Sequence, residues 1–198
     1  NLGGNNQQPD DISSHMQILN QKQPFRTALT GWFKQAMRPL PWRSTSSWYP
    51  VFLSEFLLQQ TQVEQALPYF QRFIRRFPSI YDLAVAQEEE VLSLWTGLGY
   101  YARARNMLRA AREIVAKHDG RFPSDPEEAL SLPGIGPYTA RAVLALAFEH
   151  DVAVVDTNIA RVLARTSGER LTPKRAQAVA DGLVPTGDGW IWNQALMD

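Results

Sequence analysis

The sequence predicts an all-α fold, and three observations carry that reading. Apolar residues recur at helical spacing along most of the chain, and no segment alternates convincingly as a half-buried strand would. The breaks between periodic stretches are short and are marked by proline, glycine or a capping side chain. The 198 residues are 44% hydrophobic and 20% charged, which is enough for one sizeable core or two small ones.

The elements follow in order. Residues 1–15, NLGGNNQQPDDISSH, are polar and aperiodic and read as a disordered or vector-derived leader, with Met16 as a start behind it. Residues 25–37 form an amphipathic helix with Pro24 at its start. Residues 38–50 are a loop holding Pro39, Pro41 and Pro50. Helices follow over 51–63 and 64–77, with Pro68 in the first turn of the second. Short helices over 79–86 and 88–95 give way to the Gly97-Leu98-Gly99 break. A long helix over 100–118 stops at Asp119-Gly120, with Lys117 and His118 near its negative end. Ser124-Asp125-Pro126-Glu127 reads as a capping box. Helices over 139–148, 156–166 and 173–183, the last capped by Thr172, and a segment from Trp190 complete about ten or eleven helices. The chain stops in mid-pattern at Asn193-Gln194-Ala195-Leu196-Met197-Asp198, as a sequence cut rather than finished.

Twenty basic residues balance twenty acidic ones, so bulk charge announces no polyanion partner. Charge is nonetheless segregated along the chain. Arg72, Arg75 and Arg76 cluster, as do Arg103, Arg105, Arg109 and Arg112, while acids collect at Glu88-Glu89-Glu90 and Glu127-Glu128. One positive face on a neutral protein fits this pattern, and so does a set of solvated helix faces. The absence of cysteine excludes disulfides, thiol catalysis and cysteine-ligated metal in this chain. His15, His118 and His150 are scattered, which argues against a histidine-rich metal site. No apolar run approaches the roughly 20 residues of a membrane span.

Two features suggest chemistry on nucleic acid. Leu132-Pro133-Gly134-Ile135-Gly136-Pro137-Tyr138 runs straight into the apolar stretch 139–148. A helix that stops on Gly-x-Gly and restarts at once leaves amides free at a helix N-terminus, where they can hold a phosphate without reading a base. Gly134 and Gly136 permit backbone angles and close approach that a Cβ would forbid, and Pro133 and Pro137 stiffen the turn. Asp156 opens Val154-Val155-Asp156-Thr157-Asn158. It reads as a helix N-cap, and the helix amides that would hold it also favour its charged form.

Glu55 is the complement, almost the only charge in the apolar run 51–58. An exposed helix position, a structural ion pair and a desolvated acid all fit it; desolvation would let it carry a proton at neutral pH. Two carboxyl groups pushed in opposite directions suit breakage of a glycosidic bond. Gln59-Gln60-Thr61-Gln62 places amides and a hydroxyl beside that run, groups that read base edges or sugar–phosphate, or simply end a helix. Tyr100 and Tyr101 precede the arginine cluster and suit base stacking or wedging, with core packing the ordinary role of a tyrosine.

Taken together, LPWR at 40–43, SEFLLQQTQV at 54–63, LWTGLGYYARARN at 94–106, LPGIGPYTA at 132–140, VVDTN at 154–158 and NQALMD at 193–198 closely resemble the adenine DNA glycosylase family. That family, with endonuclease III, belongs to the helix–hairpin–helix–Gly/Pro–Asp superfamily. The resemblance covers about residues 24–198 and implies a two-lobed helical fold. A six-helix barrel with the hairpin would occupy 47–150, and residues 16–46 with 151–198 would form the second lobe. It implies a monofunctional enzyme of base excision repair that hydrolyses the bond to adenine mispaired with 8-oxoguanine or guanine. Its partner would be double-stranded DNA, bound by a monomer. Its place would be intracellular, in bacterial cytoplasm or nucleoid, or in a eukaryotic nucleus or mitochondrion.

By the same resemblance Glu55 is the acid that protonates adenine N7, and Asp156 stabilises or traps the sugar cation. Tyr138 and Asn158 support them, and Tyr138 stands where bifunctional relatives place a lysine nucleophile. Trp42, Arg43, Leu58 and Gln194 would line the adenine pocket. Gln60, Thr61, Leu98 and Tyr100 would wedge beside the opposing guanine. Arg38, Gly134, Gly136, Thr139 and the arginines of 103–112 would meet the DNA backbone. Typical members continue into a four-cysteine loop holding an iron–sulfur cluster (4Fe–4S) and then a domain that recognises 8-oxoguanine, and this sequence stops short of both. Thr157 stands where glycine is common. The rivals are a thymine or uracil mismatch glycosylase, against which QQTQV argues, and a non-catalytic DNA-binding module.

Overall fold

The computed structural model describes residues 22–45 and 47–198, so the leader expected over 1–15 lies outside them. The described chain is all-α: α1 (Lys22–Ala36), a 3-10 turn (Pro41–Arg43), α2 (Trp48–Leu58), α3 (Val63–Arg76), α4 (Ile80–Ala84), α5 (Glu88–Trp95), α6 (Ala102–His118), α7 (Pro126–Ser131), α8 (Pro137–Ala147), α9 (Thr157–Ser167), α10 (Pro173–Leu183) and α11 (Gly189–Met197).

α2 is the central helix. Its residues 51–57 are all buried, and it packs against α3, α6, α8 and the 3-10 turn. Phe52, Leu53, Phe56 and Leu57 are fully enclosed, each contributing about 1.5–3 kcal/mol by leaving water. Around them lie Phe73, Trp95, Met107 and Leu144 in one core that draws on α2–α8. A second, smaller core joins Ile159, Leu163, Val179, Leu183 and Trp192 of α9–α11 to Phe25 and Leu29 of α1. Ala142, Ala145 and Val154 pack between the two, with Tyr138 and Met197 against them.

Several boundaries differ from the sequence reading for local reasons. α2 begins at Trp48, within the expected loop, because Pro50 falls in a first turn whose amides have no helical partner to lose. α3 starts at Val63, so Pro68 lies inside the helix rather than in its first turn. Glu64 and Pro68 are both exposed, which leaves the carbonyl freed by the proline to solvent. The expected box at 124–127 is a single cap one residue later, where Asp125 accepts from Glu127 N at 2.7 Å and Glu128 N at 3.4 Å. A reciprocal box exists instead between Ser79 and Asp82. Asp119 at φ 51° ends α6 as expected, and Thr172 caps α10.

The segregated charges do not stay apart. Glu88 pairs with Arg105 and Glu90 with Arg76, so the acidic run of α5 lies against the basic helices α6 and α3. Arg112 donates to the carbonyls of Ala84 and Ala86, while Arg109 is exposed. Arg76, Arg105 and Arg112 are thus engaged within the fold, while Arg72, Arg75 and Arg109 stay exposed.

The hairpin between α7 and α8 uses its two glycines differently. Gly134 has φ +75°, and a Cβ there would lie 2.7 Å from Asn106 Cβ and 2.9 Å from Phe56 Cε1. Gly136 has φ −94°, and its absent Cβ faces open space. The backbone angle therefore demands glycine at 134 only; at 136 the gain is room beside the α8 N-terminus. Gly134→Ala is expected to destabilise the fold by about 2 kcal/mol or more, from left-handed strain plus overpacking. Gly136→Ala should cost under about 1 kcal/mol, as for a helix cap without a clash. Urea denaturation midpoints of the two variants check both values.

Candidate active site

The site forms where α2, the hairpin and the start of α9 meet. Glu55 projects from the most buried helix and is itself only 6% exposed. Burial pushes its carboxyl up to about 8, with the Asp156 carboxylate adding to the effect. Below that pH the group holds its proton, the state a general acid needs near neutrality.

Asp156 is placed by its neighbours in sequence and in space. Its Oδ1 accepts from Ile159 N at 2.7 Å and so caps α9, and its Oδ2 accepts from Asn158 Nδ2 at 3.4 Å. Arg161 Nη2 donates to Asn158 Oδ1 at 2.9 Å and steadies that amide. The strand-like segment before it is pinned by side chains. Asn193 accepts from Val154 N and donates to Val152 O, both at 2.9 Å, and Arg141 and Gln177 donate to Ala153 O at 3.2 and 3.1 Å.

Tyr138, in the first turn of α8, completes the group. The Glu55 carboxyl, burial and Asp156 together push its phenol well above the usual range, so it stays a neutral hydroxyl. Glu55, Tyr138, Asp156 and Leu58 line both a cavity of about 430 Å³ and an adjoining one of about 380 Å³. Among the described residues, no lysine lines either one.

The larger cavity also takes in Trp42, Arg43, Gln194 and Asn158, so the catalytic and base-pocket residues expected from the sequence share one space. Trp42 is buried edge-on to Phe70, at 5.0 Å between ring centres. Arg43 forks onto Asp198, with both N–O distances 2.9 Å, and Arg38 Nε reaches the same carboxylate at 2.7 Å. Burial pushes the Asp198 carboxyl up, but the hydrogen bonds from Arg43 and Arg38 outweigh it and hold the group below its usual range. Arg38 therefore lines the cavity while sharing the Asp198 carboxylate with Arg43, and its side chain stays partly exposed.

The expected DNA-facing residues divide. Gln60 is exposed and lines the smaller cavity, and Thr61 lines the larger. Tyr100 is 69% exposed, whereas Leu98 is 7% exposed and tucked into the core, so the tyrosine is the side chain presented outward. Thr139 is buried, and its hydroxyl accepts from Gln59 Nε2 at 3.4 Å. Of this residue, only the amide in the first turn of α8 remains suited to a phosphate. Arg103 is also buried, and its guanidinium is spent on backbone carbonyls rather than held toward solvent.

Gln59 was expected only as part of a polar run, and its amide reaches Gly134 O at 3.4 Å in the hairpin; the grip of Asp198 on Arg43 was missed. Asp198 stood inside the NQALMD motif and was the one signal available for it. The residues present do not supply ligands for an iron–sulfur cluster. The chain has no cysteine, and among the described residues no His/Asp/Glu group could hold a metal ion. Nor, among those residues, is any helix long and apolar enough to cross a membrane.

A helical hairpin with a phosphate-ready turn, set beside a buried acid and a capped aspartate, defines a class of DNA-repair fold. Residues 53–185 match the model of the HhH-GPD superfamily of base excision DNA repair proteins, and the chain belongs to that superfamily. The adenine DNA glycosylase of Mus musculus is 42% identical over 189 residues, covering 88% of this chain and 37% of that protein. That of Buchnera aphidicola subsp. Acyrthosiphon pisum is 36% identical over 181 residues, covering 88% and 52%. The chain thus spans about half the length of these relatives or less. Among solved structures, a thermostable thymine-DNA glycosylase superposes with TM-score 0.83 at 28% identity, covering 91% of this chain and 87% of that one. A trapped endonuclease III–DNA covalent intermediate superposes at 0.75 with 22% identity, covering 89% and 84%, a likeness of fold alone.

The burial of Glu55 makes stability depend on pH. The native state keeps the proton up to about 8, while an unfolded glutamate releases it near 4.5. The native state binds more protons in that window, so this group's contribution falls as pH rises from 4.5 to 8 and then levels off. Glu55→Gln should therefore melt above the parent protein by a margin that is small at pH 5, widens through pH 8 and then stays constant. Thermal melts across pH 5–9 check this, and a pH-independent margin would contradict it.

Proposed function

We propose that the chain is the catalytic core of a monofunctional DNA glycosylase that removes adenine opposite 8-oxoguanine or guanine in double-stranded DNA. It acts as a monomer inside the cell, in bacterial cytoplasm or in a eukaryotic nucleus or mitochondrion. One observation carries the reading: the buried Glu55 carboxyl, pushed up to about 8 by that burial, shares a cavity with the Asp156 carboxylate held by the Ile159 amide. The identity to adenine DNA glycosylases supports the choice of base.

The adenine leaves the duplex and enters the cavity beside Trp42, Leu58 and Gln194, an extrusion that costs a few kcal/mol. Glu55 then gives its proton to N7 of the leaving base as the bond to the sugar C1′ breaks and its electron pair stays with adenine. The sugar develops positive charge, which the Asp156 carboxylate stabilises from the capped end of α9. Water adds to C1′ and passes its proton to the Glu55 carboxylate left by the first step, leaving an abasic site and restoring the acid. Tyr138 is a neutral phenol, and among the described residues no lysine lines the cavity to form a covalent imine and cut the strand.

The likeness to a thymine-DNA glycosylase gives the rival reading its support. Two duplexes decide between them, one with adenine opposite 8-oxoguanine and one with a G·T pair. Adenine release from the first is expected, slowed by about 10²–10⁴ in Glu55→Gln, the worth of general-acid help to a leaving group. Thymine release from the second establishes the rival. Tight binding with no release from either, by a cooperatively folded protein, identifies a DNA-binding module in which Glu55 and Asp156 are structural.

A further inference from the structure

The arginine that sequence reasoning sent to the DNA backbone has another role. The Arg103 side chain is only 8% exposed and sits between two surface segments, residues 59–61 after α2 and residues 97–100 before α6. Its two terminal nitrogens divide the work. Nη1 donates to the carbonyls of Phe56 and Leu57, each at 3.3 Å, to Gln59 O at close range, and to Thr61 Oγ1 at 3.2 Å. Nη2 donates to the carbonyls of Leu98 at 3.2 Å and Gly99 at 3.5 Å. The guanidinium also lies over the rings of Trp95 and Tyr100, 5.0 and 5.8 Å from their centres.

Both segments need such a brace. The last carbonyls of α2 have no helical donors. Gln60 and Tyr100 carry positive φ, 56° and 47°, a conformation that residues other than glycine keep only when their surroundings impose it. Both are also exposed, one in each segment. A lysine cannot replace the fork, because an ammonium is a single point with no planar pair of donor nitrogens.

We propose that Arg103 is a positioning residue that locks residues 59–61 and 97–100 into one edge, so that Gln60 and Tyr100 meet the base opposite the target as a unit. The recognition half of this proposal rests on the function proposed above; the locking half stands on the free protein alone. The Thr61 and Leu98 amides, bonded to Leu58 O and Trp95 O at 3.1 Å each, report on the two segments separately.

The test compares the parent with Arg103→Lys. In the free protein, hydrogen exchange of the Thr61 and Leu98 amides should accelerate together, by about tenfold or more, while α8 amides keep their protection. Binding is then measured to a duplex with adenine opposite 8-oxoguanine, in a Glu55→Gln background that prevents turnover. With Arg103 present, the losses from Gln60→Ala and Tyr100→Ala should fail to multiply by about fivefold, the mark of coupled residues. With Arg103→Lys they should multiply. Acceleration at one amide alone, or losses that already multiply with Arg103 present, would overturn the proposal. A protein that neither binds nor cleaves the duplex sinks the functional reading and the recognition half with it, whatever the exchange shows. If Arg103→Lys does not melt cooperatively, Thr61→Val removes one acceptor of the fork and replaces it, with the same paired acceleration expected.

Discussion

The Glu55 carboxyl sits on a helix whose other buried members are almost all hydrocarbon, and keeping it there shapes much of the molecule. An ionised carboxylate moved from water into such surroundings costs several kcal/mol even after relaxation. The group avoids that cost by holding its proton to about pH 8. The smaller cost of burying the neutral acid is offset by the packing of α2, where Phe52, Leu53, Phe56 and Leu57 are wholly enclosed. The feature that makes Glu55 an acid at neutral pH is thus the feature that makes α2 the centre of the larger core.

An acid alone does not break a glycosidic bond cleanly; charge must also be met on the sugar side. The fold brings Asp156 to the same cavity from a different core, as the N-cap of α9. Three side chains from three helices, Arg141, Gln177 and Asn193, hold the extended segment that delivers it. Asp198 does comparable work at the far wall by orienting Arg43. The cavity is therefore a product of both cores, and neither one contains it.

Much of this was legible in the chain, in proportion to how local the physics is. Helix existence followed from periodicity, and Asp156 and Thr172 as caps followed from residue type alone. Glu55 stood out because a single charge in an apolar run is anomalous. Tertiary demands were harder to read. Pro50 and Pro68 misled because proline's tolerance depends on which carbonyl it frees and whether solvent reaches it. Arg103 looked like one of a basic row, yet the two loops that consume its donors lie next to it only once α2 and α6 have packed. Thr139 and Leu98 were expected to face DNA, but their burial belongs to the packed state and leaves no mark in composition.

The central claim is that one buried carboxyl keeps its proton at neutral pH because of burial first and the facing aspartate second. Carbon NMR of the glutamate carboxyl groups, assigned by difference with Glu55→Gln, reads this directly in the free protein. A resonance that titrates near 8, and moves toward lower pH in Asp156→Asn, is the result predicted. A Glu55 resonance that titrates near 4.5, indifferent to Asp156, would contradict it.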